Sequence, residues 1–169
     1  MRPLACLVFL ALPACSSALA DGDGRAFGDD LGRFQVTALL DESTCGPGAV
    51  GWDERVEFDI VLSEEEPTFY WNTGAAAVAG TLEPNGAFSA QAEVARPSDQ
   101  SATPLCTLVR SEKASGLFTD PTRTRIADGR LEYRITGEGE CGEMILENGL
   151  AALPCSLAYD FTATRISDR

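Results

Sequence analysis

Thr124-Arg125-Ile126-Ala127-Asp128-Gly129-Arg130-Leu131-Glu132-Tyr133-Arg134-Ile135-Thr136-Gly137 is the stretch on which the fold turns. Leu131, Tyr133 and Ile135 alternate with Arg130, Glu132 and Arg134, the period of a half-buried strand. Asp128-Gly129 breaks into the segment, and the pair has two readings. As a tight turn it divides the segment into two strands. As a bulge it leaves one long strand with an extra residue. The first reading gives nine strands in the chain and the second gives eight. An antiparallel meander closes into a barrel only with an even count, because the last strand must run against the first.

The remaining strands show the same period. Phe34, Val36, Ala38 and Leu40 alternate with Arg33, Gln35, Thr37 and Leu39, and Val56, Phe58, Ile60 and Leu62 with Glu57, Asp59 and Val61. Phe88, Ala90, Ala92 and Val94 alternate with Ser89, Gln91 and Glu93, and Leu157, Tyr159, Phe161 and Ala163 with Ala158, Asp160 and Thr162. Shorter candidates are Thr68 to Trp71, Val78 to Leu82 and Leu105 to Arg110. Pro84-Asn85-Gly86 reads as a hairpin turn, and Glu64-Glu65-Glu66-Pro67 as a solvated one. Only Glu143 to Leu153 offers room for a short helix. The expected fold is all-β: an antiparallel up-and-down barrel of about eight strands, with a two-sheet β-sandwich as the alternative. Strands are placed near 33–40, 55–62, 67–73, 77–82, 86–95, 105–118, 124–137 and 156–166.

This layout constrains the cysteines. Cys6 and Cys15 lie in the N-terminal apolar region, leaving Cys45, Cys106, Cys141 and Cys155, for which three pairings exist. Alternating strand direction puts all four at one end of an eight-stranded barrel. A bridge needs Cα atoms about 4.4–6.8 Å apart, so only neighbouring strands qualify. Strands one and eight are neighbours on closure, as are six and seven. That favours Cys45–Cys155 and Cys106–Cys141. The local alternative joins Cys141 to Cys155 and leaves Cys45 to reach Cys106 across the mouth. Zinc is disfavoured, since the chain has no histidine and no Cys-x-x-Cys.

The N-terminus carries an address. Arg2 precedes the apolar segment from Leu4 to Ala14, too short to span a bilayer, which takes about 20 residues, and suited to a signal h-region. Leu12-Pro13-Ala14-Cys15 resembles the bacterial lipoprotein signal. The resemblance implies cleavage before Cys15, lipidation of Cys15 and attachment to a membrane through that lipid. Ser16 stands where Asp favours inner-membrane retention in enteric bacteria, which points to the outer membrane. Ala18-Leu19-Ala20 is a rival cleavage site that would release a soluble exported protein. The expected organisation is a signal peptide at 1–14, a lipid-anchored flexible linker at 15–31 and one disulfide-bridged β domain at 32–169. Asp21-Gly22-Asp23-Gly24 fails as a calcium loop, because Arg25 and Ala26 occupy its ligand and glycine positions.

The chain has 26 acidic and 13 basic residues, a net charge of −13. Such a surface repels phosphate backbones and argues against nucleic acid as a partner. The absence of histidine removes Ser-His-Asp and Cys-His catalysis. No phosphate loop or nucleophile elbow is present. A non-enzymatic protein without a cofactor is expected. Trp52, Tyr70 and Trp71 are the candidate ligand contacts, although alternation places Trp71 with Phe69 on one face and Tyr70 on the other.

Gly32-Arg33-Phe34 opens the first strand and Thr164-Arg165-Ile166 closes the last. The pair resembles the lipocalin (calycin) pattern of Gly-x-Trp on the first strand and Arg on the last, with Phe34 in the Trp position. The resemblance implies an eight-stranded barrel with a ligand cavity, in which Phe34 and Arg165 are structural. Three functions remain open: an extracytoplasmic lipoprotein domain of unspecified role, a binder of a small apolar ligand, and an acidic inhibitor or adaptor docking a basic envelope protein.

Overall fold

Asp128-Gly129 is a bulge. In the computed structural model, which describes residues 28–47, 53–74, 77–97 and 105–167, one strand runs unbroken from Arg125 to Gly139. Its pairing with the last strand steps from Ile126↔Ala163 to Gly129↔Phe161, so two residues, Ala127 and Asp128, face one, Thr162. Asp128 takes a positive φ of 49°. Gly129 is required by packing: a Cβ there would lie 2.5 Å from the Phe161 ring.

The strand count is therefore eight, and the sheet closes. The elements are β1 (Asp29–Ser43), β2 (Arg55–Glu65), β3 (Thr68–Asn72), β4 (Ala77–Leu82), β5 (Ala87–Pro97), β6 (Cys106–Phe118), β7 (Arg125–Gly139), helix α1 (Gly142–Glu147) and β8 (Cys155–Ser167). Each strand pairs antiparallel with the next, and β8 pairs with β1 from Arg33↔Ser167 to Ser43↔Leu157. The barrel replaces the sandwich alternative. The short helix falls within the segment expected to hold one.

One boundary moves. Asp29–Leu31, expected as linker, belong to β1, where Asp29 and Asp30 pair with Glu64 and Ser63. A register shift between Asp30 and Gly32 breaks the alternation there, so the period becomes visible only from Arg33. Gly32 has a φ of 112°, and a Cβ on it would lie 2.6 Å from Arg165 Cδ. Arg165 crosses this gap and donates from Nη1 to the Leu31 carbonyl at 3.2 Å.

The two ends differ. At the turn end, β2–β3, β4–β5 and β6–β7 are joined by residues 66–67, 83–86 and 119–124. The interior beside it is filled by aromatic rings. Phe34 meets Phe118 at 6.0 Å, Phe118 meets Phe88 at 5.7 Å, and Phe88 meets Phe69 at 5.0 Å and Trp71 at 5.9 Å. Trp71 contacts Phe161 edge-on at 5.6 Å. Ala90 and Ala114 are the small inward positions that admit these rings. At the opposite, bridge end the strands are separated by residues 44–54, 73–76, 98–105 and 140–154, three of these four intervals longer than any at the turn end.

Candidate functional site at the bridge end

Strand lengths make an opening here. β3 and β4 have five and six residues, whereas β5, β6 and β7 have 11, 13 and 15. β4 pairs with β5 only over Gly80–Leu82, so beyond Ala90 the strand β5 pairs with β6 alone. The inward faces of the three long strands thus stand above the rest of the wall. Register aligns Val94 with Arg110 and Ile135, and Arg96 with Leu108 and Gly137.

The β7–β8 connection folds over this surface. Cys106–Cys141 ties the start of β6 to the start of α1 with Cα atoms 5.0 Å apart, and Cys45–Cys155 ties the end of β1 to the start of β8 at 4.9 Å. These are the pairs that strand parity favours. Gly137 makes room, since a Cβ there would lie 2.8 Å from Cys141 Sγ and from Leu153 Cδ1. Met144 packs with Leu108 and the Cys106–Cys141 bridge, joined by Ile145 and Leu153. Leu150 N donates to Ile145 O at 2.9 Å and Ala151 N to Cys45 O at 2.7 Å, which seats Leu150 in the barrel core.

Between this cap and the long strands lies a cavity of about 340 Å³, lined by Val94, Arg96, Leu108, Arg110, Ile135, Asn148 and Leu150. The volume is near the lower bound for small-molecule sites, roughly 300 Å³. Arg110 forms an ion pair with Glu112, one layer deeper. Below them a pocket of only about 40 Å³ remains, bounded by Phe58, Trp71, Ala90, Leu131 and Tyr133, among others. Burial, assisted by the negative charge of Glu112, pushes the Tyr133 hydroxyl up to about 12.

A larger groove of about 490 Å³ lies on the outer wall across β6, β7 and β8. Its charges largely satisfy one another. Arg130 reaches Asp160 at 2.8 Å and Asp41 at 2.5 Å, and Lys113 reaches Glu132 at 3.4 Å. The Arg130 guanidinium is held above its usual range by Asp41 first and then Asp160. The inner cavity is the better candidate site because apolar walls and cations converge there in a concave space.

Of the candidate ligand contacts, Trp71 is buried in the aromatic core and reaches only the 40 Å³ pocket. Tyr70 is half-buried on the opposite face of β3. Trp52 and Cys15 lie outside the described residues. Arg96, Arg110 and Leu150 were not among the expected contacts. Alternation through Leu108, Arg110, Glu112 and Ala114 does put two charges on the core-facing side of β6, and that was the available signal. Leu150 gave none, since its place depends on how the cap folds. Among the described residues no group of histidine, cysteine, aspartate or glutamate is placed to hold a metal. No protein-family model, curated protein or solved structure matches the chain.

Proposed function

We propose that the chain is an exported, non-enzymatic lipoprotein whose barrel holds a small, partly apolar ligand at the bridge end. The cavity of about 340 Å³ carries this reading: it is open, apolar on Val94, Leu108, Ile135 and Leu150, and set in a barrel whose other half is packed with buried aromatic side chains. The two disulfides support an oxidising, extracytoplasmic compartment. The packing of Arg165 over Gly32 supports the lipocalin-like resemblance. β1 begins at the turn end, so a tether from Cys15 joins the barrel at the end away from the cavity. The ligand opening then lies opposite the point of attachment.

Native mass spectrometry of the protein from its host tests both parts. The expected spectrum shows a polypeptide starting at Cys15 with added acyl mass, carrying a small-molecule adduct that is lost on denaturation. A polypeptide starting at Asp21 would replace the anchored protein by a diffusing one. The absence of any adduct, together with failure to take up small apolar compounds, would overturn the ligand-holding reading.

A further inference from the structure

We infer that the ligand is an amphipathic anion, its acidic head held by Arg96 and Arg110 and its short alkyl tail laid between Val94, Leu108, Ile135 and Leu150. The inference rests on the ligand-holding reading above and goes further by assigning the ligand's charge. The chain has twice as many acids as bases, yet among the described residues the polar side chains lining this cavity are two arginines and one asparagine, with no acid. Glu112, one layer deeper, pairs with Arg110 and with no other described residue. Arg96 makes no ion pair with any described residue. Among the described residues, two guanidinium groups therefore face one carboxylate at the opening. A guanidinium has five N–H donors in a planar fork, so Arg110 keeps donors free after its contact with Glu112.

The layering orders the ligand. Arg96 stands at the outermost level of β5, beside Leu108 on β6. Arg110 is one level deeper, between Val94 and Ile135. Leu150 comes in from the cap. The Arg110–Glu112 pair separates the cavity from the 40 Å³ pocket beneath, so the tail lies under the cap and does not run down the barrel axis. The net charge of −13 does not forbid an anion. Exposed charges are screened beyond roughly 10 Å at 0.1 M salt, whereas an arginine in contact with an acidic head is screened far less. A carboxylate and a phosphate monoester share the chemistry that this site recognises.

The test is a calorimetric series on the disulfide-intact protein with four ligands of equal tail, below their micelle concentrations: decanoate, decyl phosphate, decanol and decyltrimethylammonium. At least one of the two anions should bind roughly tenfold or more tighter than decanol, with the ammonium weakest. The stronger anion identifies the head. Arg96→Gln with Arg110→Gln should abolish that margin and leave decanol binding intact. Arg96→Gln alone should reduce it, and this exposed position, which has no ion pair with a described residue, keeps the test usable if the double variant fails to fold. Equal binding of decanoate, decyl phosphate and decanol, or preference for the ammonium, would overturn the anionic assignment and leave the cavity reading standing. No binding of any of the four would overturn both.

Discussion

The two ends of this barrel are built on different principles. At the turn end, connections of two to six residues join strands over an interior of edge-on and tilted aromatic rings, and side-chain packing supplies the order. At the bridge end three of the four connections are longer, the wall is uneven, and two disulfides do the holding. Closing an end with short turns and aromatics leaves little interior space, here the pocket of about 40 Å³ beside Trp71. Closing it with covalent ties lets the interior stay open, because the ties hold the connections without filling the barrel. A binding site on a rigid scaffold needs that arrangement: one half that fixes the shape and another whose connections can line a cavity.

The largest effect expected is from breaking the ties. Chain-entropy arguments assign about 5 kcal/mol to a bridge spanning 110 residues, as Cys45–Cys155 does, and about 4 kcal/mol to one spanning 35, as Cys106–Cys141 does. Strain and residual unfolded-state order usually reduce such figures to about 2–4 kcal/mol. Reduction should lower the melting temperature. Hydrogen exchange should then show protection lost first at 106–110 and 155–158, with the strands around Phe34 and Phe118 protected longest. Uniform loss at both ends would break the comparison and show a single cooperative unit.

A matched pair of truncations sharpens it. Phe34 is fully buried among the rings of the turn end, and Phe34→Ala should cost about 3–5 kcal/mol. Val94 is 49% exposed in the cavity wall, and Val94→Ala should fall within about 0.5 kcal/mol of the parent. Denaturant unfolding measures both. Similar costs would mean that the cavity wall is as tightly packed as the ring cluster.

The same contrast governs what the sequence revealed. Alternation along Phe34 to Leu40 and Leu157 to Ala163 is a local property, and it placed the strands and the bridges together through parity. It also placed Trp71 beside Phe69 on one face, where both are buried in the core. Asp128-Gly129 was ambiguous because a bulge and a turn use the same residues; what decides between them is Phe161, 32 residues away, whose ring occupies the space over Gly129. The cavity was less legible still. It arises from the difference in length between β4 and β5 and from Leu150 arriving on the cap, and neither is a pattern within one segment. Arg96 reads as one more surface charge until β5 is seen to outrun its neighbour.

The smallest effect belongs to a turn. Asp120 opens the β6–β7 connection and accepts from Thr124 N and Oγ1 at 3.1 Å, from Arg125 N at 3.0 Å and from the Thr122 hydroxyl. These donors, Thr122 foremost, hold its carboxyl down to about 2, below the ordinary 3.8. A depressed carboxylate stabilises the fold above its unfolded pKa and loses that contribution as pH falls through its folded pKa. The window is therefore about pH 4 down to about 2. Asp120→Asn removes the charge but keeps one acceptor oxygen, so it should melt slightly below the parent at neutral pH, and the two melting curves should converge across that window. A gap independent of pH would mean that turn geometry, and not the carboxylate charge, orders this connection, so that the turn end depends on packing alone.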